Sequence, residues 1–473
     1  MMHHIFCYQA SPAKKQFSKD SVESNHSNGS SPVAPRTPSV AEIQHNGKNY
    51  ILQVQVLGTE ETWQTPSLLI ANVKNSSGRA IFSQVHLEID PLQYEDDESK
   101  FTALKDSNRA RIEILTDILS NRLDIDCTKT LDEISYTPAY FLGRHDLKME
   151  MINECKEIVD NTLNCEKISL IFCGKNVDPG SASSNRLPVM LYSCPSTFST
   201  VEYYSTLKTD IIGRLVIYAD ILTSSQHLLS TTIKHGLVVI PRQQSAAVGR
   251  SNNVWLSPVG SACFSLQLHV PLSSPLGRML SIVQQLVIVS IVEAIKKIPG
   301  YEKLNLGIKW PNDIYINKAV KIGGLIVSSS IGNRIAVLNI GCGINLSNTE
   351  PTISLNDYIE QYNKTMNTDL QKLSHEKYFA LVFNEIEDLY DIVQNDNLDH
   401  FYDLYYKHWI HMYDKIKVES DDGQTQNATI LGIDDFGFLK VRMENGELEV
   451  VHPDGNTFDM VKGLVAPKPF HKK

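Results

Sequence analysis

The clearest alternation of apolar and polar positions lies between residues 306 and 327. Leu306, Ile308, Ile314 and Ile316 precede a turn at Asn317-Lys318, and Ile322, Leu325, Ile326 and Val327 follow it. The pattern predicts two strands folded into a β-hairpin. That hairpin would gather an amide (Asn312), a carboxylate (Asp313) and a lysine (Lys321). Gly323-Gly324 would let the backbone approach a ligand closely. Lys321, just before the glycines, could then act as a point charge for phosphate. The bland reading is an ordinary hairpin with a solvated lysine. Spacing alone favours it, because Gly-Gly pairs are common turn punctuation.

The same reading extends along the chain. From Lys48 to about Thr200 it predicts a mixed α/β region, with strands at Ile51–Leu57 and Ala80–Ile89 and helices over Asp106–Arg122 and Leu147–Leu163. Strands follow at Tyr218–Leu222, His235–Ile240 and Ile335–Ile340. Met279–Ile295 is almost wholly apolar but is interrupted by Gln284, Gln285 and Glu293. It is shorter than the ~20 residues of a membrane span, so it is read as a buried helix with Lys296-Lys297 at its C-terminal end. Helical patterns recur around Asp357–Asn363 and Lys377–Ile392, and Tyr402–Trp409 is an aromatic-rich last helix. From Asp414 the texture changes to short strands at Lys415–Val418, Asn427–Gly432, Phe438–Arg442 and Glu447–His452. Turns at Asp421-Asp422-Gly423, Asp434–Gly437 and Glu444-Asn445-Gly446 join them, which predicts a small β-barrel.

Composition narrows the class. A length of 473 residues suggests two to four domains. The net charge of −10 argues against wholesale nucleic-acid binding, so any anion site must be local. Eight cysteines without CxxC or Cys/His ligand spacing indicate neither a zinc site nor a disulfide framework, and a reducing compartment fits best. Residues from Met1 to about Gln44, rich in Ser, Asn and Pro, are expected to be disordered. No secretory signal is expected; Lys14, Lys15, Lys19 and Arg36 leave a mitochondrial leader open. The acidic run Glu95–Glu98 reads as a solvated loop.

Three further stretches could carry chemistry. After the strand at Tyr218–Leu222 come Thr223, Ser224, Ser225 and Gln226, then a helix near His227-Leu228-Leu229. Hydroxyls there either cap the helix or bind a small polar ligand at a strand's carboxyl end. Arg242–Pro258 is a polar loop suited to enclosing an anion. Gly249 permits close backbone approach, Arg250 can bridge phosphate oxygens, and Trp255 can stack on a base. A flexible surface loop with one buried Trp is as good a reading. Finally, Gly341-Cys342-Gly343-Ile344-Asn345 ends a strand in glycines; Cys342 has no companion His and reads as a small buried thiol.

Lys309-Trp310-Pro311-Asn312-Asp313-Ile314-Tyr315, followed by Lys321-Ile322-Gly323-Gly324, resembles the signature of biotin–protein ligases, and more closely their eukaryotic form, the holocarboxylase synthetases. Ala80–Glu88 is similar to a stretch upstream of the catalytic domain in the animal enzymes. Gly432–Gly437 resembles the SH3-like C-terminal domain of the family, and His452–Met460 the animal enzymes specifically. The implied fold is α+β: a class II synthetase-like mixed-sheet catalytic domain with a C-terminal SH3-like β-barrel and an N-terminal α/β region. The expected division is a disordered tail over 1–47, an N-terminal region over 48–200 open to a regulatory or substrate-recognition role, a catalytic domain over 201–412, and the barrel over 413–473.

The resemblance implies an ATP-dependent ligase that makes biotinyl-5′-AMP and transfers biotin to a lysine of apo-carboxylases, on their biotin carboxyl carrier domains. Biotin and ATP are substrates, with Mg²⁺. Carried over by motif, Arg250, Lys321 and Asp313 are the catalytic candidates. Thr223, Ser224, Ser225, Gln244, Gly249, Arg250, Lys321, Gly323 and Gly324 are those for biotin. Arg250, Trp255, Asn312, Lys321 and Asn345 are those for ATP. The family loop usually reads Gly-(Arg/Lys)-Gly-Arg-Gly before its Trp, whereas this chain has Ala247-Val248-Gly249-Arg250-Ser251. A cation missing at Val248 would remove one charge-assisted bond, worth about 1.5–3 kcal/mol. Two alternatives stay open: a poorly catalytic relative that binds biotin or a partner, and a lipoate ligase-like acyltransferase. Neither a membrane nor a nucleic acid is expected as partner, and residence is expected in the cytoplasm, with mitochondria open.

Overall fold

A computed structural model describes residues 6–8, 39–45, 48–60, 65–89, 98–127, 135–175, 177–250, 253–419, 424–453, 456–460 and 463–467. Ser251, the acidic residues 95–97 and the turn at Asp421-Asp422-Gly423 lie outside them. The chain divides into two compact units, Met1–Ile134 and Ser135–Lys473.

The first unit is a five-stranded sheet with a helix. Its strands are β1 (Phe6–Tyr8), β2 (Ser39–His45), β3 (Lys48–Glu60), β4 (Pro66–Val73) and β5 (Arg79–Ser83), and its helix is α1 (Glu98–Thr116). Leu57, Leu68, Ile70, Leu87 and Ile118 form its core. Part of the stretch expected to be disordered is thus a strand. β2 pairs antiparallel with β3 from Ser39↔Val54 to His45↔Lys48. Backbone pairing orders a segment whose composition offers little to bury. The strand expected over Ala80–Ile89 stops at Ser83. There the Ser83 hydroxyl bonds the Val85 carbonyl and amide, turning the chain.

In the second unit the described strands from β6 to β18 form one sheet. In chain order its first elements are β6 (Ala139–Leu142), α2 (His145–Glu154), β7 (Ile158–Val159), β8 (Thr162–Asn164), β9 (Ser169–Cys173), β10 (Arg186–Met190), α3 (Thr200–Thr206), β11 (Val216–Leu222), β12 (Val238–Val248), β13 (Val254–Ser257), β14 (Ser261–Pro271) and α4 (Val283–Lys296). Then come β15 (Leu306–Lys309), β16 (Asp313–Ile316), β17 (Val320–Gly332), β18 (Ile335–Asn345) and the helices α5 (Leu355–Met366), α6 (His375–Gln394) and α7 (Leu398–His408). The strand order is β15-β16-β17-β18-β14-β12-β11-β6-β10-β9-β8-β7, with β13 paired to β12.

Two expectations change here. The boundary drawn at residue 200 falls inside this sheet, because β6 hydrogen-bonds both β11 and β10. The helix expected over Leu147–Leu163 ends at Glu154; Asp160 and Asn161 take left-handed backbone at the turn of the β7–β8 hairpin. Asp and Asn tolerate that conformation and so serve as turn residues.

α4 is the apolar segment noted above. It is buried nearly all round, including Gln285, Ser290 and Glu293, which is the signature of a core helix. Most of its buried polar groups are partnered: the Gln285 amide nitrogen donates to the Gly437 carbonyl, Ser290 to the Leu286 carbonyl, and Glu293 accepts from Lys407 and His408. The C-terminal part is a six-stranded sheet: β19 (Lys415–Glu419), β20 (Thr425–Ile433), β21 (Leu439–Met443), β22 (Leu448–Val451), β23 (Asn456–Asp459) and β24 (Leu464–Pro467). It packs on the large sheet through buried contacts, among them Trp310 Nε1 donating to the Gly437 carbonyl at 3.0 Å.

Candidate active site

The central motif is three strands rather than one hairpin. β15 and β16 pair across the turn Trp310-Pro311-Asn312, with Lys309 opposite Asp313. Pro311 cannot donate to a ladder, which suits it to the turn. β16 then pairs with β17 across Asn317-Lys318, both in left-handed conformation. A bulge between Ile314 and Tyr315 places Asp313 opposite Gly324 and Tyr315 opposite Lys321. Lys321 Nζ therefore reaches Asp313 Oδ1 at 2.7 Å, while Lys309 Nζ lies 3.9 Å from Oδ2. One carboxylate is flanked by two ammonium groups.

The stretch expected to be a polar loop is largely strand. β12 runs to Val248 and pairs with β13 at Ala247↔Trp255 and Val248↔Val254. This ribbon aims Arg250 and Trp255 at the β15–β17 turns. Arg250 donates from Nη1 to Asn312 Oδ1 at 3.1 Å and from Nη2 to the Pro453 carbonyl of the C-terminal domain at 2.6 Å. Asn312 is itself fixed by the Leu325 backbone. Trp255 is half-buried, with Lys321 Nζ 5.8 Å from its ring centroid.

These groups line one cavity of about 280 Å³. Of the residues singled out from the sequence, Ser224, Ser225, Gln244, Gly249, Arg250, Trp255, Asn312, Asp313, Lys321 and Gly324 face it. Arg250 and Lys321, 71 positions apart in the chain, share it. Thr223, Gly323 and Asn345 are not among its lining residues. A Cβ on Gly323 would sit 2.0 Å from Ile344 Cδ1, so that glycine serves strand packing. Asn345 is buried in a polar network, donating to Thr352 Oγ1 at 2.8 Å and accepting from Asn348 at 3.0 Å. Its amide is committed there, and the Thr352 hydroxyl in turn bonds the Lys321 carbonyl.

The hydroxyls after β11 do not cap the short 3-10 helix Ser225–Leu229. Ser224 stands at the N-cap position without a side-chain cap bond. Ser224 Oγ and Thr223 Oγ1 are buried and have no hydrogen-bond partner. An unpaired buried hydroxyl costs about 1–3 kcal/mol, so a ligand that supplies the missing bond is favoured. Beside it Ser225 donates to Gln244 Oε1 from its backbone at 2.8 Å, and its hydroxyl lies 2.7 Å from Ser265 Oγ. Trp255 Nε1 is likewise buried and unpartnered.

Several lining residues carry no flag in the sequence reading. Lys309 belongs to the motif but stood out there only as its first residue; its side chain is 9% exposed and its ammonium lies 5.4 Å from the Phe458 ring. Cross-strand pairing with Asp313 is the signal that would have found it. Ser265, Gln226 and Phe458 come from distant segments and have no local signature. The glycines of β18 have a packing reason: a Cβ on Gly341 would lie 2.6 Å from Gln226 Nε2, and one on Gly343 would lie 2.6 Å from Trp255 Nε1. Burial pushes the Cys342 thiol far above the usual range, which disfavours a thiolate nucleophile. No cluster of three or more metal-ligating side chains occurs among the described residues.

The large sheet and the C-terminal domain each have a known family counterpart. Residues 218–345 match the Biotin/lipoate A/B protein ligase family, and 415–463 match the Biotin protein ligase C terminal domain. The human biotin–protein ligase is 35% identical over 407 residues, covering 83% of this chain and 55% of that protein. The enzyme of Schizosaccharomyces pombe is 33% identical over 282 residues, covering 54% and 44%. Biotin–protein ligase 2 of Arabidopsis thaliana is 30% identical over 282 residues, covering 58% of this chain and 83% of the plant protein. The chain belongs to the biotin–protein ligase family. It spans about half the length of the human and fission-yeast relatives.

Proposed function

We propose that this chain is an ATP-dependent ligase that activates biotin as biotinyl-5′-AMP and transfers it to a lysine of a biotin-dependent carboxylase. The observation that carries the proposal is the convergence of Arg250, Lys309 and Lys321 on one cavity that also holds an unpartnered Ser224 hydroxyl. In the first step the biotin carboxylate attacks the α-phosphorus of ATP, and the bond to pyrophosphate breaks. Negative charge grows on the phosphate oxygens, and preorganised cations in a closed site stabilise it. Arg250 and Lys321 supply those cations, with Asp313 holding the Lys321 ammonium in place. In the second step a carrier-domain lysine amine attacks the mixed anhydride and AMP leaves. Ser224, Ser225 and Gln244 hold the polar ring of biotin in this reading and Trp255 stacks on adenine, which their shared position on the cavity wall supports.

Mg²⁺ suits the donor set in its usual manner, carried on the ATP phosphates, where it neutralises charge. Asp313 is the carboxylate that lines the cavity among the described residues and would hold it. Water exclusion falls to the β12–β13 ribbon and to Phe458 from the C-terminal domain. We place the protein in the cytoplasm and leave room for a mitochondrial form. The described cysteines are all free thiols, which supports a reducing compartment, and cell fractionation tests it.

A binding protein with little turnover is the second reading, favoured by Val248 where the family usually has a cation. A lipoate ligase is disfavoured by the C-terminal domain match at 415–463. Pyrophosphate release on adding biotin and MgATP, followed by biotin transfer to an apo-carrier domain, supports the ligase. Tight biotin binding with no release would establish the binding role instead.

A further inference from the structure

A second cavity, of about 540 Å³, lies among β6, α2, β10 and α3, in residues 141–214. It precedes the stretch matched by the ligase family and shares no lining residue with the site above. Its walls are mainly apolar, from Leu142, Leu147, Leu191 and Tyr192. Three cations line it, Lys148, Arg214 and the exposed Arg144, which is paired with Asp146; no Asp or Glu is among the lining residues.

Lys148 and Arg214 hold unused donors. Lys148 is 7% exposed, and its Nζ donates to the carbonyls of Phe141 and Leu191. An ammonium has three donors, so one remains without an acceptor among the described residues. Burial lowers the pKa of this lysine, as expected of a desolvated ammonium without a carboxylate. Arg214 is half-buried and uses Nε to bond the Thr209 carbonyl at 2.5 Å. Its Nη atoms have no acceptor among the described residues. A guanidinium presents five donors, and most of them are therefore available at the cavity wall.

A mainly apolar chamber that holds a buried ammonium and a half-buried guanidinium, neither with a carboxylate partner among the described residues, is unfavourable when empty and is relieved by an anion. Water alone would solvate the cations but not the apolar walls. We propose that this cavity is a binding site for a small organic acid with an apolar body, its carboxylate or sulfonate meeting Lys148 and Arg214. The volume falls in the range of small-molecule sites.

Cys194 lines the same cavity and is exposed, so it reports occupancy. The test uses the full chain, saturated with biotin and MgATP so that the ligase cavity is filled. The probe is 1-anilinonaphthalene-8-sulfonate, an apolar anion. Its fluorescence is titrated, and alkylation of each cysteine by iodoacetamide is followed by peptide mass spectrometry. Saturable protection of Cys194, with Cys127 unprotected as an exposed control, is expected. Arg214→Met should weaken binding by about ten-fold or more, the loss of one charge-assisted bond. Because Arg214 also bonds backbone, Ser193→Trp, at an exposed rim position, is the second variant, and it should abolish protection while the protein stays folded. Absence of saturable Cys194 protection in the wild type, or equal protection in Ser193→Trp, would overturn the proposal.

Discussion

Replacing Arg250 by methionine is the sharpest test of the active-site geometry. Among its contacts the guanidinium donates to Asn312 Oδ1 at 3.1 Å and to the Pro453 carbonyl at 2.6 Å. It therefore ties the β12–β13 ribbon both to the central strands and to the C-terminal domain. On the reaction path it must turn toward phosphate, gaining a charged acceptor. A hydrogen bond to a charged group is worth about 1.5–3 kcal/mol, which converts to about 10- to 150-fold in rate. Arg250→Met should slow biotinyl-5′-AMP formation by that factor. Arg250→Lys should fall between, because an ammonium cannot span two acceptors as a planar fork does. The assay is single-turnover formation of the adenylate from labelled ATP, quenched in acid. Hydrogen exchange at residues 439–453 gives a second readout, with faster exchange expected once the bond to Pro453 is gone. A wild-type rate in Arg250→Met would refute the assignment.

Four further outcomes follow from the same coordinates. Val248 lines the cavity and is 42% exposed, so Val248→Arg has room for a new cation and should raise biotin affinity or adenylation rate by calorimetry or turnover. Gly343→Ala should push Trp255 aside, because the added methyl would lie 2.6 Å from Trp255 Nε1; KM for ATP should rise several-fold with biotin affinity less changed. Lys309→Met should lower the adenylation rate by about ten-fold while leaving thermal stability near wild type, since Asp313 keeps Lys321. Glu293, 3% exposed and hydrogen-bonded to His408 and Lys407, has its pKa held down at about 2. A depressed carboxyl adds stability above the unfolded value and loses it as pH falls toward the folded one. Acid unfolding should therefore steepen between pH 4.5 and about 2, and Glu293→Gln, measured by urea unfolding at pH 7, should cost about 3 kcal/mol.

Local pattern carried much of this fold. The strands around the Asn317-Lys318 turn, the buried helix near Met279–Ile295 and the strand-rich end after Asp414 all follow from periodicity and turn residues, and all are present. What periodicity could not see is pairing between distant segments. β2 is ordered by β3, and residues 139–190 join the large sheet through β6, neither of which leaves a local trace. Arg242–Val248 reads as a loop because its polar residues do not alternate with apolar ones, yet it is held as a strand by β11 and β13.

The site divides along the same line. Motif residues such as Ser224, Gln244, Arg250 and Lys321 fall together because Ser224, Arg250 and Lys321 lie within two residues of a strand terminus in one sheet and Gln244 pairs with the last residue of β11. Asn345, the last residue of β18, instead turns into the Asn348–Thr352 network. Phe458 and Pro453 enter only through docking of the C-terminal domain, which no local signal could reveal.

The central claim is that two cations far apart in the chain act on one activated vitamin–nucleotide. A crystal structure with a non-hydrolysable biotinyl-adenylate analogue measures this directly. The account predicts both the Arg250 guanidinium and the Lys321 ammonium within hydrogen-bonding distance of the analogue's phosphate-mimicking group, about 2.7–3.2 Å. Either cation resting on a different part of the molecule, or facing solvent, would contradict it.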